Sequence, residues 1–478
     1  STVSLSAKEA QEYPQLAKGL KAYYDAFGQK RQESYKQMDA SARQDITAGT
    51  EAEESEGDSG VDRSYYRDEN TTKVVRADDR ILSMRDSFYS FTGGAHGYYS
   101  RSGVTFDVKT GKILRLCDVV TDVNAAAQRV TQLVEKRYPD LQMQMSEEEI
   151  AGAFAQEKPD NGVHDDEGMI FGWTMEPEGI VVYFQPYILG SYADGIQAVM
   201  LSSAENKDLI RPEYCQTQDS WILPVDDLTG ACADTGSGSA EWITVGGQPD
   251  EYGQITDRMI TIGGNEQTID SGNLMYYSTD AYLVRKDGKC WIWCIDSEDN
   301  DYRTLHVYAI ENGSASDTGF SGNMGVPATD GGVAAGSSVA VPNSYTEEPL
   351  TDPDCVKLES RMDALGTYGG YKHYLVSGDG LPAPMEQWYL PQKEISLTLQ
   401  QDYTFTMVGT DGTGTAKQTW PAGTIFHLLR TDNETFADLN VAGDMSQVAR
   451  VFCDFSQWPH MYGTVEEDAL FSGTVYAG

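Results

Sequence analysis

The pattern of apolar residues changes near residue 212, and this change constrains the fold more than any other feature. Before it, helical and strand-like periods alternate along the chain. From about Trp221 the helical periods disappear, and short strand-like runs recur every 10 to 14 residues between Gly, Asp and Asn turns. Such spacing is typical of a β-propeller or a β-sandwich. The sequence therefore predicts a mixed first part and an all-β second part.

The first part is expected to be an α+β domain in which helices pack on an antiparallel sheet. Residues 1–50 place apolar side chains mostly at three- and four-residue steps, which is typical of a helix. Residues 72–109 are rich in β-branched and aromatic residues and predict long antiparallel strands. Asp122 and Ser146 each precede a helical pattern and are suited to cap the helix that follows.

The length of 478 residues corresponds to about three domains at roughly 150 residues each. We place the α+β domain at residues 1–212 and a β-rich domain, propeller- or sandwich-like, at 213–384. Within the second domain, residues 312–353 are rich in Gly, Ser and Pro and are expected to form a long loop or linker. The short strands of residues 385–478 predict a small SH3-like barrel.

The chain is strongly acidic, with Asp+Glu 74 against Lys+Arg 35 and a net charge of −39. This charge disfavours nucleic acids and anionic membrane surfaces, and it favours cationic partners. No apolar run approaches 18 residues, so we expect no transmembrane segment. Because the chain begins at Ser1, without an initiator Met or a signal peptide, we expect a processed or truncated chain.

The seven cysteines are an odd number, which excludes complete pairing within the chain, and they form no CxxC motif. Cys290 and Cys294 lie in the run CWIWC. In a strand they share one face, while Trp291 and Trp293 share the other, and the two sulfur atoms are about 13 Å apart. We therefore expect core thiols rather than a disulfide or a zinc site.

No catalytic or metal-binding motif stands out. The six histidines form neither HExxH nor another pair with zinc-hydrolase spacing. The acidic run after His164 is expected to be a solvated loop. The run from Asp296 to Asp301 alternates oxygen ligands but lacks the glycine of a calcium loop, which favours a plain turn. No nucleotide-binding glycine motif occurs. We predict no metal, no cofactor and no catalytic residue.

Three motifs resemble a known domain pair. Phe91–Tyr99 (FTGGAHGYY), Thr105–Leu116 (TFDVKTGKILRL) and Tyr183–Ile196 (YFQPYILGSYADGI) are similar to the DUF4163/DUF3298 domains of bacterial extracytoplasmic proteins. The resemblance covers roughly residues 10–212. The same module occurs in a lysozyme-sensing anti-sigma factor and beside the deacetylase domain of a peptidoglycan deacetylase. It implies a surface location and a role in sensing or binding at the cell wall, possible partners being lysozyme and peptidoglycan.

These motifs contain five candidate binding residues: His96, Tyr98, Tyr99, Tyr187 and Tyr192. The neighbouring glycines allow a sharp turn that presents His96 in a loop. The histidine is then either a ligand or base, or a residue that fixes the loop by hydrogen bonding. The tyrosines are either residues at the edge of the core or an exposed group suited to a protein or glycan partner.

We conclude from the sequence that the chain is a non-catalytic extracytoplasmic surface protein of a bacterium, secreted or lipid-anchored, which binds a wall-associated partner. The alternative is a wall-glycan-binding protein or hydrolase, so enzymatic activity is left open. Support for the alternative comes from tryptophans in the β-rich part, because sugar rings stack on such side chains. These are Trp291, Trp293, Trp388, Trp420 and Trp458. A purely structural or adhesive spacer is a third interpretation.

Overall fold

The computed structural model of the chain describes residues 2–53, 66–93, 95–157, 169–269, 274–299, 302–330, 345–441 and 444–476. The acidic run after His164 lies outside the described residues, and so do Asn300 and Asp301 of the run that alternates oxygen ligands. Among the residues that are described, no helix is both long and apolar enough to cross a bilayer.

Six α-helices are described, most of them in the first third of the chain. They are α1 (Ala7–Glu12), α2 (Pro14–Glu53), α3 (Leu116–Val119), α4 (Val123–Arg137), α5 (Glu147–Ala155) and α6 (Glu467–Leu470). The Asp122 carboxylate accepts from two backbone N–H groups at the start of α4. Ser146 and Glu149 exchange the two hydrogen bonds of a capping box at the start of α5. Both predicted caps are confirmed.

The first sheet is antiparallel and consists of β1 (Arg67–Ala77), β2 (Ile81–Phe91), β3 (Tyr98–Asp107) and β4 (Lys112–Ile113). Helix α2 covers one face of it, where Leu20 and Tyr24 join Met84 and Phe106 in one hydrophobic cluster. Alternate residues of a strand point to opposite faces, so Arg85 and its odd-numbered neighbours lie on the face away from α2.

A three-stranded sheet follows, formed by β5 (Phe171–Glu176), β6 (Gly179–Phe184) and β7 (Gln197–Ser202). All residues of these strands are buried. One face packs against α4 and α5 through Val130, Val134 and Phe154, and β5 packs against the first sheet at β2 and β3. The predicted α+β architecture of the first part is confirmed.

The central part is built from antiparallel sheets. Its strands are β8 (Trp221–Pro224), β9 (Ala231–Ala233), β10 (Glu241–Gly246), β11 (Arg258–Ile262), β12 (Asn265–Ile269), β13 (Ser278–Lys286), β14 (Lys289–Ser297), β15 (Arg303–Glu311), β16 (Ser314–Asn323), β17 (Ala328–Asp330) and β18 (Tyr345–Glu347). Successive sheets give a propeller-like arrangement, as the strand spacing predicts. Strand β14 is central in a five-stranded sheet of order β16-β15-β14-β13-β8.

Strand β14 carries the CWIWC run, and its two faces enter two different hydrophobic clusters. Cys290 and Cys294 belong to one cluster, and Trp291 and Trp293 belong to the other. Both cysteines are buried free thiols, and burial raises the pKa of Cys290 to about 11 and that of Cys294 to about 12. The prediction of core thiols on alternate faces is confirmed.

The structure differs from the sequence prediction within residues 312–353. Strand β16 and the short strands β17 and β18 occupy parts of the segment predicted as a loop or linker. Strand β16 lies at the edge of its sheet, and its side chains are exposed or half-buried. A strand that buries neither face shows no alternation of apolar residues, so backbone pairing with β15 forms it without a sequence signal.

The last part contains a small sheet and a larger curled one. The strands are β19 (Val356–Met362), β20 (Tyr368–Val376), β21 (Pro382–Pro384), β22 (Leu390–Pro391), β23 (Ser396–Leu399), β24 (Tyr403–Val408), β25 (Ala416–Trp420), β26 (Ile425–Thr431), β27 (Phe436–Val441), β28 (Asp444–Phe452), β29 (Met461–Tyr462), β30 (Val465–Glu466) and β31 (Phe471–Ser472). Seven of them form one sheet of order β25-β24-β28-β27-β26-β23-β31. The predicted small barrel is thus a curled half-barrel sheet.

Candidate functional site

Four of the five predicted binding residues come together at one edge of the first part. His96 lies in the turn between β2 and β3, and Tyr99 is the second residue of β3. Tyr187 lies in the loop after β6, and Tyr192 begins a short 3-10 turn. We call these four side chains the aromatic cluster. The fifth residue, Tyr98, precedes Tyr99 on the strand and therefore projects from the other face of the sheet.

The aromatic cluster is held by ring contacts and hydrogen bonds. The rings of His96 and Tyr192 are stacked, with centroids 3.8 Å apart. Tyr99 and Tyr187 flank Tyr192, each with its ring centroid 5.5 Å away. His96 Nε2 lies 3.2 Å from the Tyr187 hydroxyl, and the Tyr192 hydroxyl donates to the Gly97 carbonyl over 2.6 Å. The histidine therefore fixes the loop, and the cluster is a built surface.

Tyr187 has an exposed side chain and a backbone in the left-handed conformation. Its φ is 72°, in the left-handed region that costs a bulky residue roughly 1–3 kcal/mol. Its side chain is nevertheless 54% exposed, so burial of the ring does not compensate for this cost. Strain of this kind in an exposed aromatic residue is typical of a binding surface.

Glycine is required where the β2–β3 turn meets the sheet. A Cβ on Gly97 would lie 2.5 Å from Cε2 of Tyr89, closer than two carbon atoms can approach. The absence of a side chain lets the turn pass over the Tyr89 ring, which places His96 against Tyr192. Partial burial and the neighbouring tyrosines Tyr99, Tyr89 and Tyr187 raise the pKa of Tyr192, so its hydroxyl stays protonated and donates at neutral pH.

A polar cleft of about 530 Å³ adjoins the aromatic cluster and shares Tyr99 with it. One wall is the face of the first sheet turned away from α2. The other wall is formed by the β8–β9 connection and β13, which lie beyond residue 212. From the sheet side, the cleft is lined by Lys73, Arg85, Tyr89, Tyr99 and Arg101.

The cations on the cleft floor are paired with carboxylates from the second part of the chain. Asp226 Oδ2 lies 2.6 Å from Nε of Arg101 and 3.3 Å from Nε of Arg85. Asp227 accepts from Arg101 Nη2 over 2.6 Å. Burial alone would raise the pKa of Asp226, but the two guanidinium groups outweigh burial and lower its pKa to about 2. Asp226 is therefore ionised at neutral pH.

The third floor cation, Lys73, is held in the same way. Its Nζ lies 2.7 Å from Oε1 of Glu347 and 3.3 Å from Oδ1 of Asp280. The ammonium also lies 5.8 Å from the ring centroid of Tyr282. These three cations and their carboxylates were not identified from the sequence. The available signal was Arg85 itself, a charged residue inside a strand pattern of apolar and aromatic residues.

The tryptophans proposed for sugar stacking have different environments. Trp291 and Trp293 are buried in the core, where Trp293 Nε1 donates to the Gly380 carbonyl. Trp388 and Trp420 are half-buried, and Arg430 covers the ring of Trp388. Trp458 is 68% exposed. Stacking by Trp291 and Trp293 is therefore excluded by their burial, and Trp458 presents the most open ring of the five.

The polar residues that were considered as metal ligands form no metal site among the described residues. Asp296 is buried in β14, where both of its carboxylate oxygens accept from Arg258 Nη2 at 2.7 Å, so it is not part of an open turn. Within the residues that the structure describes, no group of three or more His, Cys, Asp or Glu side chains is arranged to hold a metal ion.

The comparisons with known proteins match the first part of the chain. Residues 6–99 match the family model described as deacetylase PdaC, and residues 118–203 match the model of a protein of unknown function, DUF3298. No curated protein matches the chain. The aromatic cluster joins the two matched segments, since His96 and Tyr99 lie in the first and Tyr187 and Tyr192 in the second.

Two solved structures are similar to part of the chain. A DUF3298 family member from Bacteroides fragilis aligns at 18% identity over 36% of this chain and 64% of its own, with a TM-score of 0.27. A DUF3298 family protein from Pseudomonas aeruginosa aligns at 15% identity over 32% of this chain and 66% of its own, with a TM-score of 0.22. The chain thus spans less than two thirds of each of these proteins.

Both matched models are typical of extracytoplasmic proteins. The first segment matches the PdaC model, which is closely related to the DUF4163 domain that the sequence predicted. The resemblance inferred from the three motifs is therefore confirmed: the chain matches the PdaC model at residues 6–99 and the DUF3298 model at residues 118–203.

Proposed function

We propose that the chain is a non-catalytic extracytoplasmic surface protein that binds a wall-associated partner through the aromatic cluster. The observation that carries this proposal is Tyr187, an exposed aromatic side chain on a strained backbone that His96 and Tyr192 hold in place. Tyrosine clusters of this kind supply large contact area at a low cost in side-chain entropy, and they are common at the energetic centres of protein interfaces.

Lysozyme is the partner we propose first. It is a cationic wall-associated protein, and the net charge of −39 would steer such a protein toward this chain. Charge alone, however, attracts every basic protein. Specific recognition therefore depends on the short-range contacts that the aromatic cluster offers.

Calorimetric titration of the full chain with lysozyme, at low salt and at 0.5 M salt, tests this proposal. At 0.5 M salt the Debye length falls to roughly 4 Å, so attraction by bare charge is largely removed. We expect micromolar or tighter binding that persists at 0.5 M salt. Cytochrome c, another basic protein, serves as the control and should lose its binding signal at this salt concentration.

Two variants locate the contact. Tyr187→Ala should weaken lysozyme binding at least about tenfold, which corresponds to 1.4 kcal/mol. Tyr252→Ala removes a tyrosine that is 77% exposed in the central part of the chain and should leave binding unchanged. Equal binding by lysozyme and cytochrome c at 0.5 M salt, or equal effects of the two substitutions, would contradict the proposal.

The domain limits and the mode of attachment are also proposals. We place domains at residues 1–212, 213–384 and 385–478, because separate hydrophobic clusters lie mainly within each of these ranges. A secreted or lipid-anchored location is supported by the two matched segments. Limited proteolysis, followed by mass spectrometry of the stable fragments, would test the limits.

The alternative function, a wall-glycan-binding protein or hydrolase, depends on the cleft and not on the aromatic cluster. Glycoside hydrolysis generally needs one carboxylic acid that can donate a proton near neutral pH. The low pKa of Asp226 makes that residue unsuitable as the proton donor. Hydrolysis at this site would therefore need a proton donor other than Asp226, whereas glycan binding needs none. A spacer role would be supported if neither surface bound a ligand.

A further inference from the structure

The floor of the cleft is a set of ion pairs between the first sheet and the second part of the chain. Lys73 of β1 lies directly opposite Arg85 of β2, and the next pair along the sheet brings Arg101 of β3 opposite Ser87 of β2. Like charges that face each other across two strands destabilise a sheet. Here the carboxylates from the second part of the chain offset this repulsion, so the polar groups of the floor are fixed before any ligand arrives.

The walls of the cleft add aromatic rings and hydroxyl groups. Tyr89 and Tyr99 face each other across β2 and β3 and are half-buried. Thr71 and Ser87 lie beside them and are also half-buried. The lining thus presents flat apolar surface next to groups that donate and accept hydrogen bonds, in a volume typical of ligand-binding sites.

The charges of the cleft select against ionic ligands. A cationic ligand would meet three cations on the floor, the buried Arg85 and Arg101 and the half-buried Lys73, and the carboxylates closest to them are already paired. An anionic ligand would meet the exposed carboxylates of Glu69 and Asp227 at the rim. A neutral ligand with many hydroxyl groups avoids both costs. Its hydroxyls can exchange hydrogen bonds with the ion pairs, and its apolar faces can pack on the tyrosines.

We propose that this cleft is a saccharide-binding site that takes a neutral oligosaccharide. The sugar rings pack against Tyr89 and Tyr99, and the sugar hydroxyls bind the side chains of Ser87 and Asp227 at the edge of the ion-paired floor. The proposal deepens the glycan-binding alternative given above, and the site adjoins the aromatic cluster, with which it shares Tyr99. The proposal does not depend on the identity of the protein partner.

Calorimetric titration of the full chain with N-acetylchitotetraose, and with maltotetraose as a second neutral sugar, tests the proposal. We expect saturable binding of at least one of them. The variant Ser87→Trp fills the cleft and should weaken that binding at least about tenfold. Ser316→Trp introduces the same side chain on an exposed position of β16, at the opposite edge of the five-stranded sheet from β8, and should bind as the unsubstituted chain does.

The result that overturns the proposal is an absence of binding by the unsubstituted chain up to about 10 mM of both sugars, or equal binding by the two tryptophan variants. Hydrogen exchange of the unsubstituted chain with the bound sugar gives a second test that needs no variant. Protection should appear in β2 and β3, and protection confined to the region of Trp458 would contradict the site.

Lysozyme titration of the same variants keeps this proposal distinct from the proposed function. Ser87→Trp should retain lysozyme binding, and Tyr187→Ala should retain sugar binding. If the unsubstituted chain binds sugar but not lysozyme, the result counts against the aromatic cluster only. If it binds lysozyme but neither sugar, the result counts against the cleft only.

Discussion

Strands β2 and β14 are both central in antiparallel sheets, yet their second faces have opposite chemistry. Each has one face in a hydrophobic cluster, with Met84 on β2 and Ile292 on β14. The other face of β14 enters a second hydrophobic cluster through Trp293, whereas the other face of β2 places Arg85 among ion pairs. The first sheet therefore places part of one face, around Arg85, among polar groups at the edge of a cleft, whereas the corresponding face of β14 packs in a hydrophobic cluster.

The largest expected effect follows from removing the carboxylate at the centre of the ion pairs. Asp226→Ala leaves Arg85 and Arg101 buried without their shared partner and should cost about 3–5 kcal/mol of unfolding free energy, measured by urea denaturation. Asp227→Ala is the matched control, since its side chain is largely exposed, and it should cost no more than about 1 kcal/mol. If the two substitutions lowered the unfolding free energy by similar amounts, the buried ion pairs beside β2 would not be a special source of stability.

The second effect is a dependence of the unfolding free energy on pH that arises from Asp226 beside β2. The folded-state pKa of Asp226 is lowered to about 2, so its contribution is complete above its unfolded pKa near 4 and is lost as the pH falls toward 2. The expected size is about 2 kcal/mol. The stability difference between the unsubstituted chain and Asp226→Asn should therefore shrink by this amount between about pH 5 and pH 2. A constant difference would show that the ionised form is not the source of stability.

A smaller effect is expected from the apolar face of β14. Ile292→Val removes one buried methylene and should cost about 1 kcal/mol, with no change between pH 5 and pH 3. Ser316→Ala on the exposed strand β16 serves as the control and should stay within about 0.5 kcal/mol of the unsubstituted chain. A cost for Ile292→Val that varies with pH would mean that this face is coupled to a titrating group.

The last effect, similar in size to that of Ile292→Val, concerns the loop that carries Tyr187. Both Tyr187→Ala and Tyr187→Gly remove the ring, but only glycine adopts a φ of 72° without strain. The glycine variant should be more stable than the alanine variant by about 1 kcal/mol in thermal or urea unfolding. At Tyr192, which has a negative φ, the glycine variant should be no more stable than the alanine variant. The same order at both positions would remove the evidence for strain at Tyr187.

Local patterns allowed much of the fold to be predicted. The caps at Asp122 and Ser146 and the alternation in CWIWC depend on residues close in sequence, and the structure has them as expected. The aromatic cluster was accessible because His96 and Tyr187 lie in motifs that resemble a known domain pair. Which of its members touch could not be predicted, because 91 residues separate His96 from Tyr187.

The cleft could not be predicted, for a physical reason. Arg101 and Asp226 are 125 residues apart, and Lys73 and Glu347 are 274 residues apart. In a chain with 74 acidic residues, composition gives no means of choosing which carboxylate neutralises which cation. Strand β16 was missed because an exposed edge strand leaves no periodic signal.

The long separation between the floor cations and their carboxylates also has a consequence for the order of folding. When residues 67–107 have been synthesised, Asp226, Asp280 and Glu347 have not. Until those residues are present, Lys73 and Arg85 repel each other on neighbouring strands, and the part of the first sheet around Arg85 stays hydrated. Closing such long loops is a slow step, so we expect the first sheet to complete its structure late, when the central sheets dock against it.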